Sequence, residues 1–145
     1  MNHLPEDLRF LLWAIFRALI QDAANLYRVS KDGYAIQFIE NPTEAVKIAA
    51  VTQIGMAIQF INDPSTEVQL AAVQEDAYAI RCITNPTEAI QIAAITESVY
   101  AIQFIENPKV QIAAIQQNEY AIRFIENPSE AVQMAAAAVQ KNKLV

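Results

Sequence analysis

The pentapeptide AIQFI at Ala35 returns as AIQFI at Ala57, AIRCI at Ala79, AIQFI at Ala101 and AIRFI at Ala121, in steps of 22, 22, 22 and 20 residues. So short and so regular a period leaves few folding options. Each unit must be one small supersecondary element that buries its apolar face against its neighbours. The period assigns units 34–55, 56–77, 78–99, 100–119 and 120–140, after an N-terminal capping region at 1–33 and before a tail at 141–145.

Within a unit the sequence predicts two short helices. In Tyr34–Ile39 the residues Tyr34, Ala35, Ile36, Phe38 and Ile39 cover a wide apolar arc, and only Gln37 and Glu40 point away. Asn-Pro then interrupts, because proline disfavours the helical region for its predecessor and cannot continue a helix. Asn41 is expected to cap the second helix, with Pro42 at its first position and Glu44 at its third. A rival register makes Thr43 the cap. The second helix, AVKIAAV from Ala45, is apolar nearly all round and needs cover on most sides. Segments this short are marginal helices in water, so one unit cannot stand alone. The expectation is an all-α fold: an α-solenoid of about five two-helix repeats.

The motif NP-[TS]-E-[AV]-V-x-[ILM]-A-A, preceded by Y-A-I-x-F-I, resembles the short two-helix repeats of the HEAT-like and leucine-rich-variant class. It is also similar to helical repeats of unknown function in bacterial and large-virus proteins. The resemblance covers residues 34–140 and implies an array that presents a binding surface.

Several features depart from the period. Leu26 and Val29 fall where Ile48 and Val51 fall one repeat later, yet no Asn-Pro precedes them. Pro5 to about Ile20 is therefore expected to form one longer helix that seals the first repeat. Its apolar surface exceeds what one neighbour needs, so Trp13 and Phe16 also suit a dimer or partner contact. The fourth unit lacks two residues after Asn107-Pro108, so its second helix is expected to start late and rotate. Where other units carry Phe38, Phe60, Phe104 and Phe124, the third has Cys82. Either a neighbour fills that volume or a small pocket opens. The tail from Lys141 to Val145 is expected to fray unless that end pairs with another chain.

Charge narrows the partners. Residues 34–140 hold four basic groups against twelve carboxylates, leaving −8, which opposes direct nucleic-acid binding. The apolar run Phe10–Phe16 is too short to span a bilayer. A single cysteine and a single histidine, His3, offer no disulfide, no thiolate metal cluster and no positioned triad, so no cofactor and no catalytic activity are expected. A reducing, cytoplasmic setting fits.

The expected function is a non-enzymatic scaffold that binds a protein or peptide along one solenoid face, with homodimerisation through apolar ends. The alternative is an acidic inhibitor that mimics nucleic-acid charge. Comparing units leaves two variable stripes, one on each helix. The second-helix stripe is the expected binding face: Lys47, Gln69, Gln74, Gln91, Thr96, Gln111, Gln116 and Gln133. Its glutamines can donate to and accept from an extended backbone, or merely solvate and bridge the units. The tyrosine row Tyr34, Tyr78, Tyr100, Tyr120 suits packing between repeats.

Overall fold

A computed structural model describes residues 4–142. His3 and the end of the tail, residues 143–145, lie outside the described residues. Six α-helices and five 3-10 helices alternate among the described residues, and there is no strand. The α-helices are α1 (Glu6–Lys31), α2 (Glu44–Gln53), α3 (Thr66–Glu75), α4 (Glu88–Glu97), α5 (Pro108–Gln117) and α6 (Glu130–Asn142). The 3-10 helices are η1 (Gly33–Phe38), η2 (Gly55–Phe60), η3 (Ala77–Cys82), η4 (Val99–Phe104) and η5 (Glu119–Phe124).

Contacts run in sequence order. Each α-helix packs on the next α-helix, each 3-10 helix on the next 3-10 helix, and each 3-10 helix on the two α-helices that flank it in the chain. No contact links the first unit to the fifth among the described residues. The buried layer is the apolar face of the repeat: Ile36, Val46, Ala50 and Val51 in the first unit, and Ile58, Val68, Ala72 and Val73 in the second. Side chains also stitch successive units. The Thr43 hydroxyl donates to Asp22 at 2.7 Å, and the Ser65 hydroxyl donates to the Glu44 carboxylate.

The first helix of each unit is a 3-10 helix, not the expected α-helix. Six residues leave room for few i→i−4 bonds, and the tighter i→i−3 pattern pairs more of the backbone. An Asx turn starts three of them: Asp32, Asp76 and Asn118 each accept from the N–H two residues on, at 2.9, 2.9 and 3.1 Å.

The cap is the rival register. Val46 N–H donates to Thr43 Oγ1 at 3.4 Å, and Ser65, Thr87 and Ser129 cap α3, α4 and α6 in the same way. Asn41, Asp63 and Asn85 instead take left-handed conformations, at φ 51, 45 and 52°. The Asn-Pro pair is therefore the turn before the cap.

The fourth unit alone follows the expected register. Asn107, at φ −69°, caps α5, with Pro108 in the first turn and Lys109 N–H donating to Asn107 Oδ1 at 3.1 Å. Its second helix does not start late: α5 and α4 both have ten residues. The two absent residues are the left-handed turn itself, and Asn107 stands where Thr87 stands one unit earlier. The core parts here into two clusters, one ending with Ile105 and Val110, the other built on Ile102, Ala114 and Ile115.

The N-terminal helix runs to Lys31 and does not stop near Ile20. Its C-terminal half acts as the second helix of an incomplete unit, with Val29 buried and Leu26 packed on the core. Its N-terminal half does not seal the array. Nine large apolar residues from Leu8 to Ile20 are exposed, Trp13 at 55% and Phe16 at 63%. No helix among the described residues is long and apolar enough to cross a membrane.

Candidate interaction face

Each joint between successive units opens into a notch on one side of the row. Three parts build it. The last turn of a 3-10 helix supplies isoleucines for the floor, such as Ile36 and Ile39, or Ile58 and Ile61. The Asn-Pro or Asp-Pro turn supplies one wall. The other wall is a single second-helix position, held by Lys47, Gln69, Gln91 and Gln111 in successive notches. Because equivalent positions line all four, the notches follow one another in chain order, one at each joint.

The predicted face divides. Lys47, Gln69, Gln91 and Gln111 line notches, and Gln133 holds the equivalent place on α6. Gln74, Thr96 and Gln116 are exposed and line none of these four. They lie five residues further along each helix, about 140° round its axis. Thr96 Oγ1 donates to its own helix, to Ile92 O at 2.9 Å.

The glutamine ladder is largely spent on the fold. Gln69, Gln91 and Gln133 donate through Nε2 to the carbonyls of Pro64, Pro86 and Pro128 at 2.9, 2.8 and 2.8 Å. Gln111 donates to Ile105 O at 2.6 Å, because the missing turn moves that carbonyl into reach. These bonds tie each second helix to the turn before it. Lys47 pairs with Glu44 at 3.8 Å. The Oε1 of Gln91 is buried without a partner.

The polar groups left on the notch rims come mostly from the other stripe and the turns. Asn62 and Asp63 rim the second notch, and Glu106 and Glu126 the fourth. Variation between units marks both stripes. Only the fold brings the end of one and the middle of the other to the same notch, which is why sequence reasoning favoured the second helices alone.

The notch at Cys82 has the largest free space, about 600 Å³, against about 460, 380 and 340 Å³ at the other joints. At three joints the tyrosine of one unit meets the phenylalanine of the next edge-on: Tyr34 with Phe60, Tyr78 with Phe104 and Tyr100 with Phe124, at 5.9, 5.7 and 4.6 Å. The joint between the second and third units carries Met56 and Cys82 at those positions and lacks both rings. Both residues pack against the core, and the ring volume reappears as the wider notch.

Trp13 and Phe16 sit apart from this row, on the exposed half of α1. Arg17 lies over the Trp13 ring at 5.4 Å, and Phe10 approaches the same ring at 6.4 Å. No group of His, Cys, Asp and Glu among the described residues could hold a metal ion. No family model matches the chain, and no curated protein or solved structure matches it.

Proposed function

We propose that the chain is an open α-solenoid and a non-enzymatic scaffold, binding an extended basic segment of a partner protein along the row of notches. The observation that carries this reading is the recurrence of one notch at four successive joints. Neighbouring helices pack about 8–10 Å apart. A polyproline II turn of three residues advances about 9 Å, so every third side chain of such a segment faces the same way. A partner in that conformation sets one side chain into each notch.

The rims give the partner its charge. Lys47 sits at the first notch, Asp63 at the second, Glu106 at the third, and Glu106 with Glu126 at the fourth. Acidity therefore grows toward the C-terminal end, and the basic residues of the segment belong there. The apolar floors take the stems of lysine or arginine while the charged heads reach the rim.

A fluorescent peptide of four Pro-Pro-Arg repeats tests this, with a Pro-Pro-Glu peptide as control. The arginine peptide should bind at low ionic strength, and E106K/E126K should weaken it by tenfold or more with the helical circular dichroism unchanged. Equal binding of the two peptides, or binding untouched by the charge reversal, would refute the assigned face.

A further inference from the structure

The N-terminal half of α1 is the largest surface that the array leaves uncovered. From Leu8 to Ile20 no residue is buried. Leu8, Leu12, Ile15 and Leu19 recur at steps of 4, 3 and 4, the seam spacing of a coiled coil, and Leu11 and Phe16 flank them. These six side chains are between 44 and 65% exposed. They put roughly 600 Å² of apolar surface on one side of the helix, at the top of the about 300–600 Å² found for the largest patch on a monomer. A standard interface takes about 800 Å² per partner, so the seam and its rim supply an interface of ordinary size.

We infer that this seam pairs with the same seam of a second copy of the chain, the two helices antiparallel. The seam is self-complementary in that direction. Leu8 of one protomer falls opposite Leu19 of its partner, and Leu12 opposite Ile15, each contact occurring twice by symmetry. Arg9 of one protomer then flanks Phe16 of its partner, where a guanidinium can lie over a ring. Arg17 points away from the seam, so no like charges face each other. Parallel pairing would drive the two arrays together, because the C-terminal half of each α1 is already packed on its own α2. Antiparallel pairing sets the arrays at opposite ends.

Charge disfavours the other occupant that such a helix suits, a membrane surface. Arg9 and Arg17 are balanced by Glu6 and Asp7, and the whole chain carries −6, which anionic lipid repels. Trp13 and Phe10 lie off the seam and cover each other locally with Arg17. Phe16 belongs to the interface and Trp13 does not.

Light scattering on the full chain tests the inference independently of the notch row. The mass should be near twice 16.1 kDa at micromolar concentration. L12E/I15E, which sets like charges opposite one another across the seam, should be monomeric with unchanged helicity, and should still bind the Pro-Pro-Arg peptide if the notch reading holds. Orientation is read by mixing L8C and L19C chains in a C82S background. A disulfide between the two kinds of chain is expected, and predominant L8C–L8C links would overturn the antiparallel arrangement. A native chain that is monomeric would overturn the pairing, and so would one that dimerises equally well as L12E/I15E. Binding of monomer to phosphatidylcholine vesicles would assign the helix to membrane instead.

Discussion

At the scale of single residues, the most informative position is the one before each proline. Asn and Asp are good helix caps, and they are also the residues other than glycine that best tolerate left-handed backbone. The letters N-P fit both roles, and a chain read by itself does not choose between them. The fold chooses by placing a hydroxyl, Thr43, Ser65, Thr87 or Ser129, where it can accept from the first turn of the α-helix. Asn85 at φ 52° is then a backbone requirement. Asn85→Ala should lower stability by about 1–2 kcal/mol in urea unfolding, whereas Asn85→Gly should match the native chain. Equal losses for both would mean that the side chain and not the φ angle matters. Glycine has a different task at Gly33 and Gly55. A Cβ there would come within 2.4 and 2.5 Å of the carbonyls of Ala50 and Ala72. The first two units hold their second helices tight against the turn that opens each unit by this means. Later units carry Ala77, Val99 and Glu119 at the same place.

At the scale of elements, the tyrosine row does what its period implied. Tyr34, Tyr78 and Tyr100 join units, each meeting a phenylalanine one unit on, while Tyr120, in the last unit, lies under Arg123 instead. The joint with Met56 and Cys82 shows what a unit costs when both rings go: the element stays helical and the notch widens. Restoring the pair with M56Y/C82F should raise stability by about 0.5–1.5 kcal/mol, the usual gain from an edge-on aromatic pair. C82F alone should give less, because its ring then has no tyrosine edge to meet. A double variant no more stable than the sum of the two single variants would show that the rings do not couple. The 3-10 character of the first helices was less legible. Tyr34 to Ile39 is apolar over an arc that fits either helix type, and only the six-residue length between an Asx turn and the next break decides for the tighter one.

At the scale of the whole molecule, the missing turn before α5 is the feature with the widest reach. It leaves α5 its full ten residues but divides the buried core into two clusters. In an array stabilised mainly by nearest-neighbour interfaces, a weakened joint uncouples the units beyond it. Amide hydrogens of α5 and α6 should therefore exchange faster than those of α2 and α3 under native conditions. Replacing Asn107-Pro108 by Asn-Pro-Thr-Glu, which rebuilds the turn and the cap, should slow them. Uniform exchange along the chain would show that the two clusters still open as one.

By itself, the sequence determined that this chain is helical and built of short modules that pack in sequence order. A period of 22 residues with an apolar majority leaves each module unable to bury its own face, and that constraint is written in residue type and spacing alone. The long N-terminal helix was half visible: Leu26 and Val29 keep the rhythm of the repeat, and nothing between Ile20 and Leu26 breaks the helix. Tertiary structure decided what these modules leave free. Whether a glutamine faces a partner or bonds its own turn depends on where a carbonyl lies in three dimensions. Whether Leu12 is covered depends on which neighbours are present. The first follows from the geometry of the turn five or six residues back, the second from packing between elements, and periodicity carries no record of either.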